Sequence, residues 1–587
     1  MRRLTFPLAI ILVVAPLFAA SNGIPTVNQP LVPSRVRPGS AGFLLRVNGT
    51  AFVPGAVINW NGTPLSTTFV SQSRLKAEVS SSLVANPGTV NVTVTNPAPG
   101  GGTSPPVFFS VTVLTASLTF ATSVIDVGVA PSSVVAGDFN NDGKTDLAVL
   151  NELQPDSCYT FDGKGTIQIL LGHGAGDFST VSSTCLPNNL GTVGLPYLMA
   201  ADINGDGKLD IAAEWYSEGE GFSNLEFYLG NGQGMLSDTS SIILSDDDFA
   251  VTPAFGDFNR DGDLDFVFPS GDSAFPGLLV YFSNGKGSFS LEGGNGLVYG
   301  RGVITGDFNG DGILDLALLG SDVRGTPAGP LVILLGTGGG SFVEDTTQPA
   351  TTLVNPVSVT TGDFNGDGIL DLAFADSGAT ALTVLLGNGD GTFTQKAGQP
   401  DAGQATTFIT SADLNGDGKL DLVLVNSANA VLIYLGNGDG TFQTALEVAA
   451  GNGANQLAIG DFNGDGRLDI AVANSTDNTV SLLIQSPAAT VSTSSLKFGT
   501  VAVGSPGNPR LLTLTNSGSA ALQLSSIVAA GDFTRTDNCP DVLSIRQSCQ
   551  IYIVFRPTAK GLRTGSITII DDAADSPQVV QLIGTGH

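Results

Sequence analysis

Oxygen-bearing side chains recur in one fixed pattern seven times along this chain: Asp138-Phe-Asn140-Asn-Asp142-Gly143-x-x-Asp146, then again from Asp202, Asp257, Asp307, Asp363, Asp413 and Asp461. Positions 1, 3, 5 and 9 carry Asp or Asn, and glycine at position 6 allows the sharp turn that lets all four converge. Hard oxygen ligands with no His or thiolate suit Ca²⁺ better than zinc or a redox metal. Positions 1, 3, 5, 7 and 9 form the expected ligand sets, for up to seven Ca²⁺. They are Asp138, Asn140, Asp142, Lys144 and Asp146 in the first loop and Asp202, Asn204, Asp206, Lys208 and Asp210 in the second. The third holds Asp257, Asn259, Asp261, Asp263 and Asp265, and the fourth Asp307, Asn309, Asp311, Ile313 and Asp315. The fifth has Asp363, Asn365, Asp367, Ile369 and Asp371, the sixth Asp413, Asn415, Asp417, Lys419 and Asp421, and the seventh Asp461, Asn463, Asp465, Arg467 and Asp469.

An EF-hand needs a bidentate Glu at position 12 and a helix after the loop. Position 12 here is Val149, Ala213, Phe268, Leu318, Phe374, Leu424 and Val472. Each loop runs into a short apolar segment such as LDLAVL or LDIAVA, bounded by Gly and Asn, which reads as a buried strand. The loop is therefore a strand-to-strand turn. Paired loops that open helices at closer spacing, as in a dockerin, are excluded.

Successive loops start 64, 55, 50, 56, 50 and 48 residues apart, a period that belongs to propellers and solenoids. A second phrase keeps step: LLGHGAGDF at 170–178, YLGNGQGML at 228–236, YFSNGKGSF at 281–289, LLGTGGGSF at 334–342, LLGNGDGTF at 385–393 and YLGNGDGTF at 434–442. Each is a strand, a Gly/Asn turn and an apolar restart, the signature of a tight hairpin. Every unit thus holds four strands, which make one propeller blade. The seventh unit stops at VSLLIQ without its fourth strand, and Ser117-Leu118-Thr119-Phe120 supplies a spare one upstream. That strand is expected to close a ring of seven blades.

These phrases resemble the FG-GAP or VCBS repeats of integrin-alpha-type β-propellers over about residues 115–486, with Asn141, Arg260 and Ser283 standing where glycine or similar turn residues are common. The resemblance implies that calcium braces one face while inter-blade loops bind partners. Residues 24–113, with the run LLRVNGTAFVPGAVINWNGTPLSTTFVS, resemble IPT/TIG immunoglobulin-like domains. Residues 488–587, with LTLTNSGSAALQLSSI and FRPTAKGLRTGSITI, resemble the ASPM/SPD-2/Hydin or choice-of-anchor D domain. The fold expected is all-β, a seven-bladed propeller between two immunoglobulin-like sandwiches.

Residues 1–20 read as a signal peptide: Arg2-Arg3, an apolar run broken by Pro7 and Pro16, then small residues. The mature chain is expected to be secreted, extracellular or on the cell surface, the periplasm included, with no membrane span and as a monomer. Four cysteines in an exported chain should pair. Of three connectivities, domain membership favours Cys158 with Cys185 and Cys539 with Cys549. Trp60 is read as core packing.

The formal charge is −29, which argues against nucleic acid as a partner. Three Asp in each of seven loops account for 21 of the 53 acidic residues, so much of the acidity is metal ligand. Seven Ca²⁺ would bring −29 to −15. The expected function is adhesion or recognition of an extracellular protein or glycan, without catalysis. The insertions at 150–165, 179–196 and 214–224 are the expected binding loops, with Trp215 and Tyr216 beside Glu214 as an aromatic and acidic patch. A polysaccharide-active hydrolase or lyase on the same scaffold and a structural envelope component are the alternatives. No GxSxG, HExxH or recurrent carboxylate pair outside the loops supports the enzyme, and the two histidines, His173 and His587, lack a partner context.

Overall fold

The computed structural model describes residues 22–587 apart from 37–38, 86–87, 99–100, 112–117, 154–163, 190–196, 218–221, 246–251, 271–276, 296–301, 324–325, 346–348, 350, 486–488, 517–521, 545–546, 572 and 574–575. The proposed signal peptide at 1–20, Ser117 and Cys158 therefore lie outside the described residues. The described residues are all-β, the one helical element among them being a 3-10 turn at Ser81–Val84.

Between residues 120 and 485 stand seven four-stranded antiparallel sheets. In each, the first strand ends where an oxygen-rich loop begins, and the second starts on that loop's ninth residue. The pairs are Val129–Gly137 with Asp146–Leu153, Tyr197–Ala201 with Asp210–Ser217, Ala254–Gly256 with Asp265–Ser270, Gly302–Gly306 with Asp315–Val323, Pro356–Gly362 with Asp371–Asp376, Thr406–Ala412 with Asp421–Asn426, and Ala454–Gly460 with Asp469–Asn474. The second strands are apolar on both faces because both faces are covered; every residue of Asp371–Asp376, Asp421–Asn426 and Asp469–Asn474 is buried.

The covering comes from the neighbouring sheets. Separate apolar clusters join the first sheet to the second (Ile169 with Ile211), the second to the third (Phe227 with Phe266), and so on around. The last of them joins the seventh back to the first, Phe462 and Leu482 with Val134 and Leu147. A cavity of about 530 Å³ is lined by a residue from the first strand of every sheet: Ser132, Tyr197, Ala254, Ile304, Ser358, Thr410 and Gln456. The arrangement is propeller-like, with first strands innermost.

The seventh sheet takes its fourth strand from upstream. Phe120–Asp126 pairs antiparallel with Thr479–Gln485, from Phe120 opposite Gln485 to Asp126 opposite Thr479. The expected donor is thus correct in place, with Leu118 and Thr119 preceding the strand itself.

On either side lies a two-sheet sandwich. The amino-terminal one packs Trp60, 3 % exposed, against Phe109 and Phe43 at ring-centroid distances of 4.9 and 6.3 Å, so this Trp is core. In the carboxyl-terminal one Phe533 and Phe555 stack in a core of Ile, Leu and Val. Cys539 and Cys549 form a disulfide there, as expected.

Candidate functional site

In the fifth loop every short polar side chain is tied to the main chain. Asp363 Oδ1 accepts from the N–H of Gly366 and Asp367 at 2.7 and 3.1 Å, and its Oδ2 accepts from Gly368 at 2.8 Å. Asn365 Oδ1 accepts from Asp367 at 2.9 Å, and Asp367 Oδ1 accepts from Ile369 at 2.8 Å. The chain can turn this tightly because positions 4 and 6 both lie in the left-handed region, φ being 79° at Gly366 and 89° at Gly368. In the other loops too, position 1 accepts from the amides of positions 5 and 6, position 3 from that of position 5 and position 5 from that of position 7, as at Asp138, Asp202 and Asp461.

Position 9 plays a different part. Asp371 is fully buried; its Oδ2 accepts from Phe364 N–H at 2.8 Å and its Oδ1 from Gly387 N–H at 2.9 Å, which pins the loop to the third strand. Asp146, Asp210, Asp265, Asp315, Asp421 and Asp469 repeat both bonds. Burial pushes these carboxyls up: to about 6 at Asp146 and Asp210, about 7 at Asp315 and Asp371, about 8 at Asp265, and well above the usual range at Asp421 and Asp469. The neighbouring loop carboxylates add to the rise. A nearby cation would lower it.

Position 7 is Lys144, Lys208, Asp263, Ile313, Ile369, Lys419 or Arg467, so the group common to all seven is the main-chain carbonyl. Lys208 Nζ lies 2.8 Å from Asp206 Oδ2 and Arg467 lies 3.6 Å from Asp465, while Lys144 and Lys419 stand 3.8 and 3.9 Å from their partners. As the side chains stand, no group of three or more His, Cys, Asp and Glu is gathered as a metal cluster among the described residues. The loops nonetheless fit Ca²⁺ by donor chemistry: each carboxylate that accepts two N–H bonds keeps further lone pairs, and every donor is oxygen.

Two loops carry side chains where their siblings have glycine. Asn141 (φ 58°) and Arg260 (φ 65°) occupy position 4 in the left-handed region. Asn tolerates this better than Arg. Arg260→Gly is therefore expected to stabilise the chain by about 0.5–1 kcal/mol, read as a higher denaturant midpoint with an unchanged slope.

The Gly-rich hairpins do more than turn. Gly391 N–H donates to the Phe308 carbonyl, position 2 of the preceding sheet's loop, at 3.1 Å, and Phe393 packs edge-on against Phe308 at 5.4 Å. Gly340 and Phe342 hold Phe258 in the same way, and Gly440 and Phe442 hold Phe364. Gly176 and Phe178 of the first sheet hold Phe462 of the seventh. The sequence showed the hairpin but not this latch between neighbouring sheets.

The amino-terminal sandwich sits on the loop face. Ile24 N–H donates to Asp257 Oδ2 at 2.7 Å, Ser34 Oγ to Asp413 Oδ2 at 3.0 Å, and Asp363 N–H to the Gln29 carbonyl at 3.3 Å. The main chain of Gly88 and Val111 lies against Gly466 of the seventh loop. No local signal announces these contacts.

The expected binding loops fare differently. Residues 178–189 are an outer strand, Phe178–Asn189, paired with Lys164–Gly172, so 179–189 is sheet where a loop was expected. Likewise Glu214 to Ser217 and Phe222 to Asn224 belong to paired strands. An antiparallel partner satisfies the backbone whatever the side-chain polarity, which masked the extension in the sequence. Glu214 is fully buried and so is no part of an exposed patch. The main chains of Trp215 and Tyr216 pair with Asn224 and Ser223, while their side chains lie outside the described residues. Cys185 is disulfide-bonded, its partner likewise outside them.

The FG-GAP-like repeat pattern matches residues 154–213, 216–268, 307–374, 363–424 and 413–472, and the FG-GAP repeat pattern matches 130–169, so that each of the seven oxygen-rich loops falls within a match. The chain carries FG-GAP repeats. No curated relative matches it. Among solved structures, an auxiliary nutrient binding protein from Bacteroides ovatus ATCC 8483 is 10 % identical with a TM-score of 0.33, over 78 % of this chain and 97 % of that one. Another from Bacteroides thetaiotaomicron VPI-5482 is 9 % identical at 0.30, over 79 % and 98 %. The plexin A4 extracellular region is 8 % identical at 0.36, over 80 % and 62 %. Likeness at these scores carries no argument about function. Among the described residues no helix is long and apolar enough to cross a membrane.

Proposed function

We propose that this FG-GAP repeat protein is a secreted or cell-surface binding module, a seven-bladed β-propeller braced by up to seven Ca²⁺. In this reading 1–20 is a cleaved signal peptide, 115–486 the propeller, and 24–113 and 488–587 immunoglobulin-like flanks. The observation that carries it is the sevenfold repetition of one acidic loop, each pinned by a buried Asp at position 9. A carboxylate buried beside two others gains from a nearby cation, which favours its charged form, and the same arrangement recurs in all seven loops. The disulfide at Cys539–Cys549 is compatible with an oxidising compartment. Recognition rather than turnover is the role this reading assigns, since loops held on a rigid scaffold carry recognition.

Calcium is tested by counting. Asp363→Ala with Asp367→Ala is expected to remove one metal per chain by elemental analysis and leave the other six. An unchanged count overturns the assignment of that loop. Binding is tested by screening glycans and cell-surface proteins beside a general hydrolase assay. Turnover of a polysaccharide or ester would replace this reading with an enzymatic one.

A further inference from the structure

Resting on that reading, we propose that the ligand site is the central cavity, and that it takes the end of a neutral carbohydrate chain. Among the described residues the cavity lining holds no Asp, Glu, Lys, Arg or His, and the carboxylate that approaches it, Glu152, interacts with Ser132 of the wall. An anionic ligand would be desolvated there with no cationic partner among the described residues. What the walls offer is hydroxyl and amide: Thr252, Thr305, Thr410, Asn455 and Gln456, together with the phenol of Tyr197. Thr305, Thr410 and Asn455 make no side-chain hydrogen bond among the described residues, so their donors and acceptors are available.

The polar groups alternate with apolar surface from Met199, Val357 and Phe408. Sugars present the matching pattern, with hydroxyls at the ring edge and C–H on its faces. At about 530 Å³ the cavity falls within the size range of ligand sites, roughly 300–1,000 Å³. Gln456 is fixed from behind, its side-chain carbonyl accepting from Ser133 Oγ and Val134 N–H. That bonding presents the Gln456 amide in one orientation at little entropic cost when a ligand arrives.

The loop-side end of the cavity is partly covered by the amino-terminal sandwich. Toward the loop face Thr305 and Thr360 line a second, smaller space of about 320 Å³, whose far wall is Thr26 to Gln29 of the amino-terminal sandwich. The Gln29 carbonyl accepting from Asp363 N–H holds that wall in place. In this proposal a polymer enters by one terminus, from the face opposite the calcium loops.

The test uses the full calcium-loaded chain in calorimetric titration with linear neutral oligosaccharides, the cyclic glucan that has no chain end, and linear uronate oligosaccharides. A linear neutral chain is expected to bind, and the cyclic and uronate probes are not. Thr410→Trp, which fills the cavity, is expected to weaken binding by more than about tenfold. Asn455→Ala, which deletes a single polar group and endangers folding less, is expected to weaken it by about three- to tenfold. Calcium content and melting temperature of both variants should match the parent. Neutral binding that survives both changes but is lost in Trp215→Ala with Tyr216→Ala overturns the cavity and leaves the binding reading intact. Preference for uronates, or for the cyclic glucan, has the same effect. If the parent chain binds none of these probes, nor anything in the wider glycan and surface-protein screen, the binding reading itself falls.

Discussion

Withdrawing calcium is expected to lower the melting temperature by a margin that widens as the pH rises from about 5 to about 8. Mass action sets the scale, because a site held at a hundred times its dissociation constant stabilises the fold by about 2.7 kcal/mol, and several sites act together. The pH trend comes from the buried ninth position. Its carboxyls titrate at about 6 in Asp146 and Asp210, about 7 in Asp315 and Asp371 and about 8 in Asp265, against 3.8 ordinarily. Between those values the folded chain binds more protons than the unfolded one, so without calcium its stability falls as pH rises. A bound cation favours the ionised form and cancels that loss. Scanning calorimetry in calcium and in chelator, at several pH values, measures the gap. An unchanged melting temperature would sink the calcium reading, whereas a gap that stays flat with pH would leave the metal and remove the buried carboxylates from its energetics.

The loops were legible in the sequence because each position answers a local demand. Gly143 and its six counterparts are there for a positive φ, and Asp at positions 1 and 5 for main-chain amides two to five residues away. The strand after each loop was legible because burial on both faces writes a continuous apolar run. The missing fourth strand could be found by counting alone. The rest depends on partners far along the chain. Ser34 meets Asp413 across 379 residues, and nothing around either announces it. The hairpin glycines looked like turn chemistry, and they are that, yet Gly176 also donates to Phe462 on the sheet that closes the ring. The cavity was hidden for another reason. First strands such as VSVTT mix hydroxyl and apolar groups, with Val357 on the cavity wall and Ser358 and Thr360 bonded to the next sheet's first strand, which in a sequence is indistinguishable from an ordinary half-buried strand. Expectation then settled on the insertions, the conspicuous departures from the repeat.

Two truncations separate the seat from the clasp. A chain that starts at Leu118 lacks the amino-terminal sandwich. It loses the contacts to Asp257 and Asp413, but what it uncovers at these points is carboxylate, which water solvates readily. That chain is expected to remain monomeric and to hold its calcium. A chain that starts at Val129 lacks Phe120–Asp126 as well. It leaves the whole ladder of Thr479–Gln485 unpaired, and the new edge is VSLLIQ, flat, β-branched and uncharged. Edges of this kind recruit other chains, and natural proteins blunt them with charge, proline or bulges that this segment lacks. The second chain is expected to aggregate at concentrations where the first stays monomeric, as read by light scattering during size-exclusion chromatography, and to melt far lower. Equal behaviour of the two would show that the ring holds without its clasp. In that case the closing energy lies in the apolar cluster of Phe462 and Leu482 against Val134 and Leu147, and Phe462→Ala would be the change that opens it.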